Sequence, residues 1–275
     1  MTSAREILLT LSWKYGGDWE AIYRAIQKKE MLSEEIRKEA LSKTKSNFLT
    51  LVDTLYPYSL QQCFKPPFVL YYYGDIGLLS REYRLTVVGT RTPTDYQKNA
   101  VASYVEEAES ALSSGVVVVS GMAGGIDQAA MNAAYRKKAP FIGILGGGID
   151  RLYPESARAL YEAAKRKEGL VLSEYPLDLA PKPENFLFRN RILAALSDVV
   201  LVGGGKNRSG TATTARYALE QGKEILALPC NNTGDDLTNS LIRDGAEIVL
   251  SSEDLISSLR SAYRTSGGKA GERSP

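Results

Sequence analysis

The chain has 275 residues, of which 34 are Lys or Arg, 32 are Asp or Glu and none is His. The absence of histidine excludes Ser-His-Asp and Cys-His nucleophiles and every His-ligated metal site. The net charge of +2 neither indicates nor excludes a nucleic-acid partner, because an overall balance says little about one charged face.

Cysteine usage and hydropathy predict a reduced protein without a membrane segment. Cys63 and Cys230 lack CxxC spacing, which argues against a disulfide framework or a Cys-based zinc site and fits a cytoplasmic location. The apolar run near the N-terminus is short for a signal peptide. The longest uncharged stretch, residues 110–126, is interrupted by serine and glycine, so we expect no membrane span.

The first part of the chain predicts a small bundle of helices. Asp18 and Ser33 each precede an amphipathic segment with acids in its first turn, which is typical of helix N-caps. Ile22 and Ile26 fall on one apolar face of the segment after Asp18. We expect residues 1–55 to form a helical domain of the SAM or helix-hairpin-helix type, which packs or interacts but carries no chemistry.

From Pro66 onward, short apolar runs alternate with glycine-rich turns and helical segments. Runs that are apolar throughout are typical of strands buried on both faces of a sheet. Their alternation with helices predicts an α/β fold, an extended Rossmann-like, doubly wound and mostly parallel sheet over residues 56–264. We expect residues 265–275 to be a disordered tail. The predicted strands are 68–73, 85–88, 116–119, 141–145, 170–172, 199–202 and 225–228, and the clearest helices are 96–112, 128–138, 155–167 and 211–221.

Small residues follow the ends of five predicted strands. In a doubly wound sheet, ligands bind beyond the carboxyl ends of the strands. Glycines there let a ligand approach the backbone, and amides at helix N-termini bind phosphate, so their convergence on one edge favours an anionic ligand. The turns contain Gly89-Thr90-Arg91, Gly121 with Gly124, Gly146-Gly147-Gly148, Ser173-Glu174 and Gly203-Gly204-Gly205.

The sequence lacks two common phosphate-binding motifs. Without GxxxxGK[ST] a P-loop NTPase is disfavoured, and without a strict GxGxxG a dinucleotide dehydrogenase is unsupported. Residues 186–216 combine aromatic and basic side chains, which a bound single strand requires for base stacking and phosphate contact. Composition alone leaves open that the rings are core and the arginines a solvated helix start. The segment contains Phe186, Phe188, Arg189, Arg191, Lys206, Arg208 and Arg216 against one acid, Asp198.

Motifs along residues 56–250 resemble the DNA-processing protein A (DprA/Smf) family in order and spacing. On these motifs the chain is identified as a member of that family. They are VGTR at 88–91, SGMAGGID at 120–127, LGGGID at 145–150 with YP at 153–154, SEYP at 173–176, NFLFRNR at 185–191, SGTATTA at 209–215 and LIRDGA at 241–246.

The resemblance implies a single-stranded DNA-binding protein of natural transformation, which protects incoming strands and helps to load the RecA recombinase. It implies a homodimer and no enzymatic activity, metal or cofactor. By analogy, Arg91 contacts phosphate, Arg189 and Arg191 continue the positive pocket, and Phe186 or Phe188 stacks a base.

The remaining residues implied by the resemblance line the same pocket. Asn190 contacts DNA or orders its loop, and these two roles stay open. Ser209, Gly210 and Thr211 present hydroxyls and amides at a helix N-terminus. The full expected set is Gly89, Thr90, Arg91, Gly121, Gly124, Gly147, Phe186, Phe188, Arg189, Asn190, Arg191, Lys206, Ser209, Gly210 and Thr211.

The chain departs from the family pattern at several positions. Met131 stands where the family usually has a histidine, and Gly203-Gly204-Gly205 replaces a glutamate-containing turn. Cys230 replaces a glycine after proline, and residues 235–238 replace a glycine-containing loop with two acids. The sequence shows no counterpart of the winged-helix domain found in some members.

The sequence also allows two other functions. The Gly210-Thr211 region is similar to the signature of lysine-decarboxylase-like phosphoribohydrolases, which would make the chain a nucleotide-binding or nucleotide-processing enzyme. Thr214 stands where that signature has its catalytic glutamate. A divergent paralogue used for protein–protein contact is the third possibility, with residues 225–228 as its exposed edge.

Overall fold

The computed structural model describes residues 3–231 and 234–267, and within them nine strands form a single sheet. The strands are β1 (Asn47–Thr50), β2 (Val69–Gly74), β3 (Arg84–Val88), β4 (Val117–Ser120), β5 (Phe141–Ile144), β6 (Leu170–Ser173), β7 (Val199–Val202), β8 (Glu224–Ala227) and β9 (Glu247–Ile248). The spatial order is β1-β2-β6-β5-β4-β3-β7-β8-β9. All pairs from β6 to β9 are parallel, whereas β2 pairs antiparallel with both β1 and β6.

Helices cover both faces of this sheet. They are α1 (Ala4–Lys14), α2 (Trp19–Gln27), α3 (Glu34–Lys43), α4 (Tyr58–Gln61), α5 (Asp95–Ala111), α6 (Ile126–Arg136), α7 (Arg158–Lys165), α8 (Pro183–Leu196), α9 (Gly210–Glu220), α10 (Leu237–Arg243) and α11 (Ser252–Gly267). Within the described residues, no helix is long and apolar enough to cross a lipid bilayer.

The strands divide their side chains between two hydrophobic cores. In β3, Leu85 and Val87 join the core formed with α1, α2, α5, α6, α7 and α11. Val88 joins the core formed with α4, α8, α9 and α10, and Thr86 Oγ1 donates to Leu193 O of α8 on that side (3.0 Å). Because both faces are covered, the central strands are apolar throughout, as the sequence pattern indicates. The predicted α/β class, the doubly wound and mostly parallel sheet and the helical N-terminal region are confirmed.

The N-terminal helices pack directly on the sheet. Leu9 and Ile22 belong to the same core as Tyr71 of β2, and Tyr71 shares a hydrogen bond with Ser12 (3.0 Å). The predicted N-caps are present, since Asp18 and Ser33 accept hydrogen bonds from amides of the following helices. The boundary of a separate domain at residue 55 stays a prediction.

Three elements differ from the sequence-based expectation. Residues 47–50 lie in the segment read as helical, but they form β1 because they pair in register with Val69–Tyr72 of β2. Helix α8 is missing from the clearest predicted helices, because Arg189–Leu196 is buried all round and therefore lacks an amphipathic pattern. Strand β8 is not an exposed edge, since it lies between β7 and β9. Of the predicted tail, residues 265–267 end α11 and the others lie outside the described residues.

The shared core predicts that the N-terminal helices and the sheet unfold together. Leu9→Ala removes a fully buried side chain and should lower the free energy of unfolding by about 2–5 kcal/mol in one cooperative transition. Leu41→Ala on exposed α3 is the matched control and should change it by less than about 1 kcal/mol. Urea unfolding followed by circular dichroism and tryptophan fluorescence measures both variants. A separate, early transition of the helices would contradict the shared core.

Candidate nucleic-acid interface

The carboxyl ends of β5, β4, β3 and β7 lie side by side at one edge of the sheet, which we call the carboxyl edge. The first half of α8 crosses this edge. Phe186 packs on the turn after β5, where a Cβ atom at Gly146 would lie 2.6 Å from the phenylalanine Cδ1. At the other side, Asn190 Nδ2 donates to Gly210 O at the start of α9 (3.0 Å). The helix thus brings the NFLFRNR motif against the glycine turns.

Arg189 lies inside the wall of the carboxyl edge. Its side chain is buried and donates to Ile144 O at the end of β5, while its Nε atom has no hydrogen-bond partner among the described residues. Burial lowers the pKa of Arg189 to about 10, against the opposing effect of the Asp127 carboxylate. The positive charge of Arg189 therefore lies beneath the turn that contains Gly121 and not at the protein surface.

The carboxylate of Asp127 accepts hydrogen bonds from amides of the turn between β4 and α6. The donors are Gly121 N (3.1 Å) and Ala123 N (3.4 Å). Burial raises the pKa of Asp127 to about 6. The amide of Gly121 is therefore already satisfied by the protein, whereas Gly124 faces open space.

Arg191 is a buried structural residue, which corrects its expected place in an open positive pocket. Its guanidinium is fully buried, and its Nη2 atom donates to both carboxylate oxygens of Glu174 (2.6 and 2.8 Å). It also donates to Lys65 O (2.9 Å) and to Phe188 O (3.0 Å). These bonds engage all three of its nitrogen atoms, so the group holds α8 against β6 and the segment before β2.

The two phenylalanines of the motif have different surroundings. The Arg191 guanidinium carbon lies 3.6 Å from the centre of the Phe188 ring, so one face of that ring is covered. Phe186 is partly buried against Gly146, and its other neighbour is the exposed ring of Tyr153. Phe186 therefore lies against the turn that follows β5, and Phe188 lies against the buried Arg191.

Exposed cations surround this wall. Arg91, Lys206 and Arg208 are all exposed, and none forms an ion pair with another described residue. Arg91 lies beside the start of α6. Gly125 precedes this helix with φ +80°, and a Cβ atom on Gly125 would lie only 2.7 Å from the Arg91 Cα. Glycine at this position therefore lets the turn after β3 come close to the helix. The charge of Arg91 also lowers the pKa of Arg189, because a nearby positive charge disfavours the protonated guanidinium.

The N-terminus of α9 adds hydrogen-bond donors beside Lys206. The amides of Gly210 and Thr211 have no partner in the described part of the chain, as is usual in a first helical turn. The Ser209 hydroxyl is occupied, since it donates to Lys206 O (2.6 Å) and accepts from Ala212 N (3.3 Å). The amides, rather than the serine hydroxyl, are therefore available to an anion.

The remaining expected glycines and Thr90 support the backbone of the edge. Gly147 is buried beneath the loop that contains Leu179 and Pro181. Gly89 packs against Ile126, and Thr90 O accepts the amide of Ile126 (3.1 Å). The structure thus places Gly147 away from the exposed surface because the loop after β6 covers it.

The structure gives the surroundings of several residues at which the sequence departs from the family pattern or from the phosphoribohydrolase signature. Met131 is buried in the core. Thr214, at the position of the phosphoribohydrolase glutamate, is buried, and its hydroxyl donates to Gly210 O (3.3 Å). Asp235 accepts the amide of Asn207 (3.1 Å), so one of the two added acids does lie against the loop that carries Lys206.

The burial of Asp127 predicts a pH dependence of stability. A carboxyl group whose pKa is higher in the folded chain than in the unfolded chain binds its proton more tightly when folded. Its contribution is fully present below pH 3.8 and is lost as the pH rises through about 6. Relative to Asp127→Asn, the wild-type free energy of unfolding should fall by about 2 kcal/mol between pH 4 and pH 7. Urea titrations at both pH values measure this difference, and a constant difference would contradict it.

The Arg191–Glu174 ion pair predicts that removing one partner costs more stability than removing both. Glu174→Gln leaves the buried Arg191 charge without its counter-ion and should cost about 3–5 kcal/mol. The double variant Glu174→Leu/Arg191→Met removes both charges and should recover most of that loss. Thermal or urea unfolding of the two variants checks the order, and a double variant less stable than Glu174→Gln would contradict it.

Known proteins resemble this chain over most of its length. The family model of DNA recombination-mediator protein A matches residues 47–260. DNA processing protein DprA of Bacillus subtilis is 37% identical over 216 residues, which is 78% of this chain and 71% of that protein. Protein Smf of Escherichia coli is 35% identical over 207 residues, which is 74% of this chain and 54% of that protein.

Solved structures give the same result. DNA processing protein A from Streptococcus pneumoniae superposes with a TM-score of 0.73 at 28% identity, covering 93% of both chains. The Helicobacter pylori protein, described for its single-stranded DNA binding mode, superposes with a TM-score of 0.69 at 32% identity and covers 80% of this chain and 98% of its own. The chain therefore belongs to the DNA recombination-mediator protein A family of DNA-processing proteins.

Proposed function

We propose that this chain binds single-stranded DNA along the carboxyl edge of its sheet and acts as a non-catalytic recombination mediator. The observation that carries the proposal is a set of exposed cations without ion-pair partners among the described residues, Arg91, Lys206 and Arg208. They follow β3 and β7, at the same sheet edge as the Phe186 ring. Cations bind the phosphates of a single strand, and a ring stacks on an unpaired base, whatever the sequence.

The amides at the start of α9 support the same proposal. Gly210 and Thr211 offer N–H donors at the positive end of a helix dipole, close to Lys206. Buried Arg189 adds positive potential from below the glycine turn. A strand that crosses the edge would thus meet donors and cations in sequence, as a phosphate backbone requires.

The acids near the edge support a binding role over an enzymatic one. Asp127 is held by the turn amides and Glu174 by Arg191, so each carboxylate has a structural partner. The glutamate that a phosphoribohydrolase would need is replaced by buried Thr214. The nucleotide-processing alternative therefore lacks a free carboxylate in the place where its signature would put one.

The role in the cell extends this proposal. The chain would protect incoming strands during natural transformation in the cytoplasm and help RecA to assemble on them, as a homodimer. The support is membership of the recombination-mediator family and the single-stranded DNA binding described for the Helicobacter pylori relative. Stimulation of RecA assembly on single strands, and the mass of the protein in solution, test these two parts.

The edge cations predict a salt-sensitive affinity. Arg91→Ala and Lys206→Glu should each weaken binding to a thymidine oligonucleotide about tenfold or more, because a hydrogen bond to a charged group contributes about 1.5–3 kcal/mol. Each lost phosphate contact should reduce the slope of log K against log salt by about 0.7. Fluorescence anisotropy at several salt concentrations measures both effects.

The control is Lys137→Glu, which reverses an exposed charge at the end of α6 that lies away from the carboxyl edge. It should leave affinity within about twofold of wild type, because surface charges further apart than about one Debye length are screened. Equal losses in Lys137→Glu and Lys206→Glu would contradict the proposed edge. Tight binding of mononucleotides without DNA binding would favour the enzymatic alternative.

A further inference from the structure

Tyr153 is an exposed aromatic residue next to the proposed DNA surface. It lies in the turn between β5 and α7, and its side chain is 50% exposed. The centre of its ring lies 5.8 Å from the centre of the Phe186 ring, and the ring planes are inclined by 57°. The two side chains therefore form a pair, in which Phe186 is the inner ring and Tyr153 the outer ring.

Packing does not account for the outer ring. Its neighbours Leu152 and Pro154 are half-buried and anchor the turn, whereas Tyr153 leaves half of its surface to solvent. The tyrosine hydroxyl has no hydrogen-bond partner in residues 3–231 and 234–267. Tyrosine is enriched at binding interfaces because its ring is apolar and its hydroxyl group can form a hydrogen bond.

The position of Tyr153 continues the carboxyl edge. Phe186 packs on Gly146 after β5, and β4, β3 and β7 follow in that order towards Arg91 and α9. Tyr153 lies in the segment that follows β5, with its ring beside that of Phe186. Arg151, two residues earlier, is exposed and forms no ion pair with any described residue.

We propose that Tyr153 and Phe186 form a two-ring stacking platform for unpaired bases, with Arg151 binding an adjacent phosphate. The inference rests on the proposed function and adds residues to its surface. A ring beside a cation is the combination that holds a single strand without reading its sequence. The platform would place the end of the bound strand at the turn after β5.

The test compares two substitutions of the same residue. Tyr153→Leu keeps an apolar side chain but removes the ring, and it should weaken binding of a thymidine oligonucleotide by about 5- to 150-fold, the range for one lost base stack. Tyr153→Phe keeps the ring and should bind within about twofold of wild type. Fluorescence of an oligonucleotide containing 2-aminopurine should be quenched on binding to wild type and Tyr153→Phe, and less quenched by Tyr153→Leu.

An oligonucleotide of abasic sugar-phosphate units separates stacking from any change in the fold. Wild type and Tyr153→Leu should bind it equally, because it has no bases to stack. Arg151→Ala should reduce the salt slope for both oligonucleotides without changing the 2-aminopurine quenching. A Tyr153→Leu protein that loses as much affinity for the abasic strand as for the thymidine strand, each relative to wild type, would overturn the stacking role.

The outcomes also separate this inference from the proposed function. If wild type binds no oligonucleotide, the proposed function fails. If wild type binds, Arg91→Ala weakens it, and Tyr153→Leu changes neither affinity nor quenching, only the platform is overturned.

Discussion

The buried ion pair between Arg191 and Glu174 holds the carboxyl edge in its arrangement. A guanidinium with no exposed surface requires a counter-charge and several acceptors, and Glu174, Lys65 O and Phe188 O supply them. The pair joins α8 to the end of β6 and to the segment that precedes β2. Because α8 is tied there, its first half must cross the ends of β5 and β4.

That crossing determines what the rest of the motif can do. Arg189, two residues before Arg191, is brought beneath the turn between β4 and α6, where its guanidinium donates to Ile144 O. Asn190 is brought to Gly210, so α8 also positions the first turn of α9. One helix thus aligns a glycine turn, a helix N-terminus and an aromatic ring on one surface.

The positive charges of the protein fall into two groups with different physics. Arg189 and Arg191 are buried and held by hydrogen bonds, so they shape the edge and its potential. Arg91, Lys206 and Arg208 are exposed and can exchange water or counter-ions for phosphate. The Asp127 carboxylate is likewise buried and structural, because it satisfies turn amides that an anion would otherwise bind. A net charge of +2 is therefore compatible with a positive edge.

The α/β class, the central strands and the family can all be predicted from the sequence alone, because continuous apolar runs and glycine-rich turns are local patterns. The sequence also placed Arg91 and Gly210 at a shared edge, since the carboxyl ends of parallel strands meet there. The burial of Arg191 and the exposure of Arg91 become visible only in the folded chain, because burial depends on partners such as Glu174 that are distant in sequence. The tertiary structure also decided that residues 47–50 form a strand and that Tyr153 meets Phe186, since both depend on contacts between distant segments.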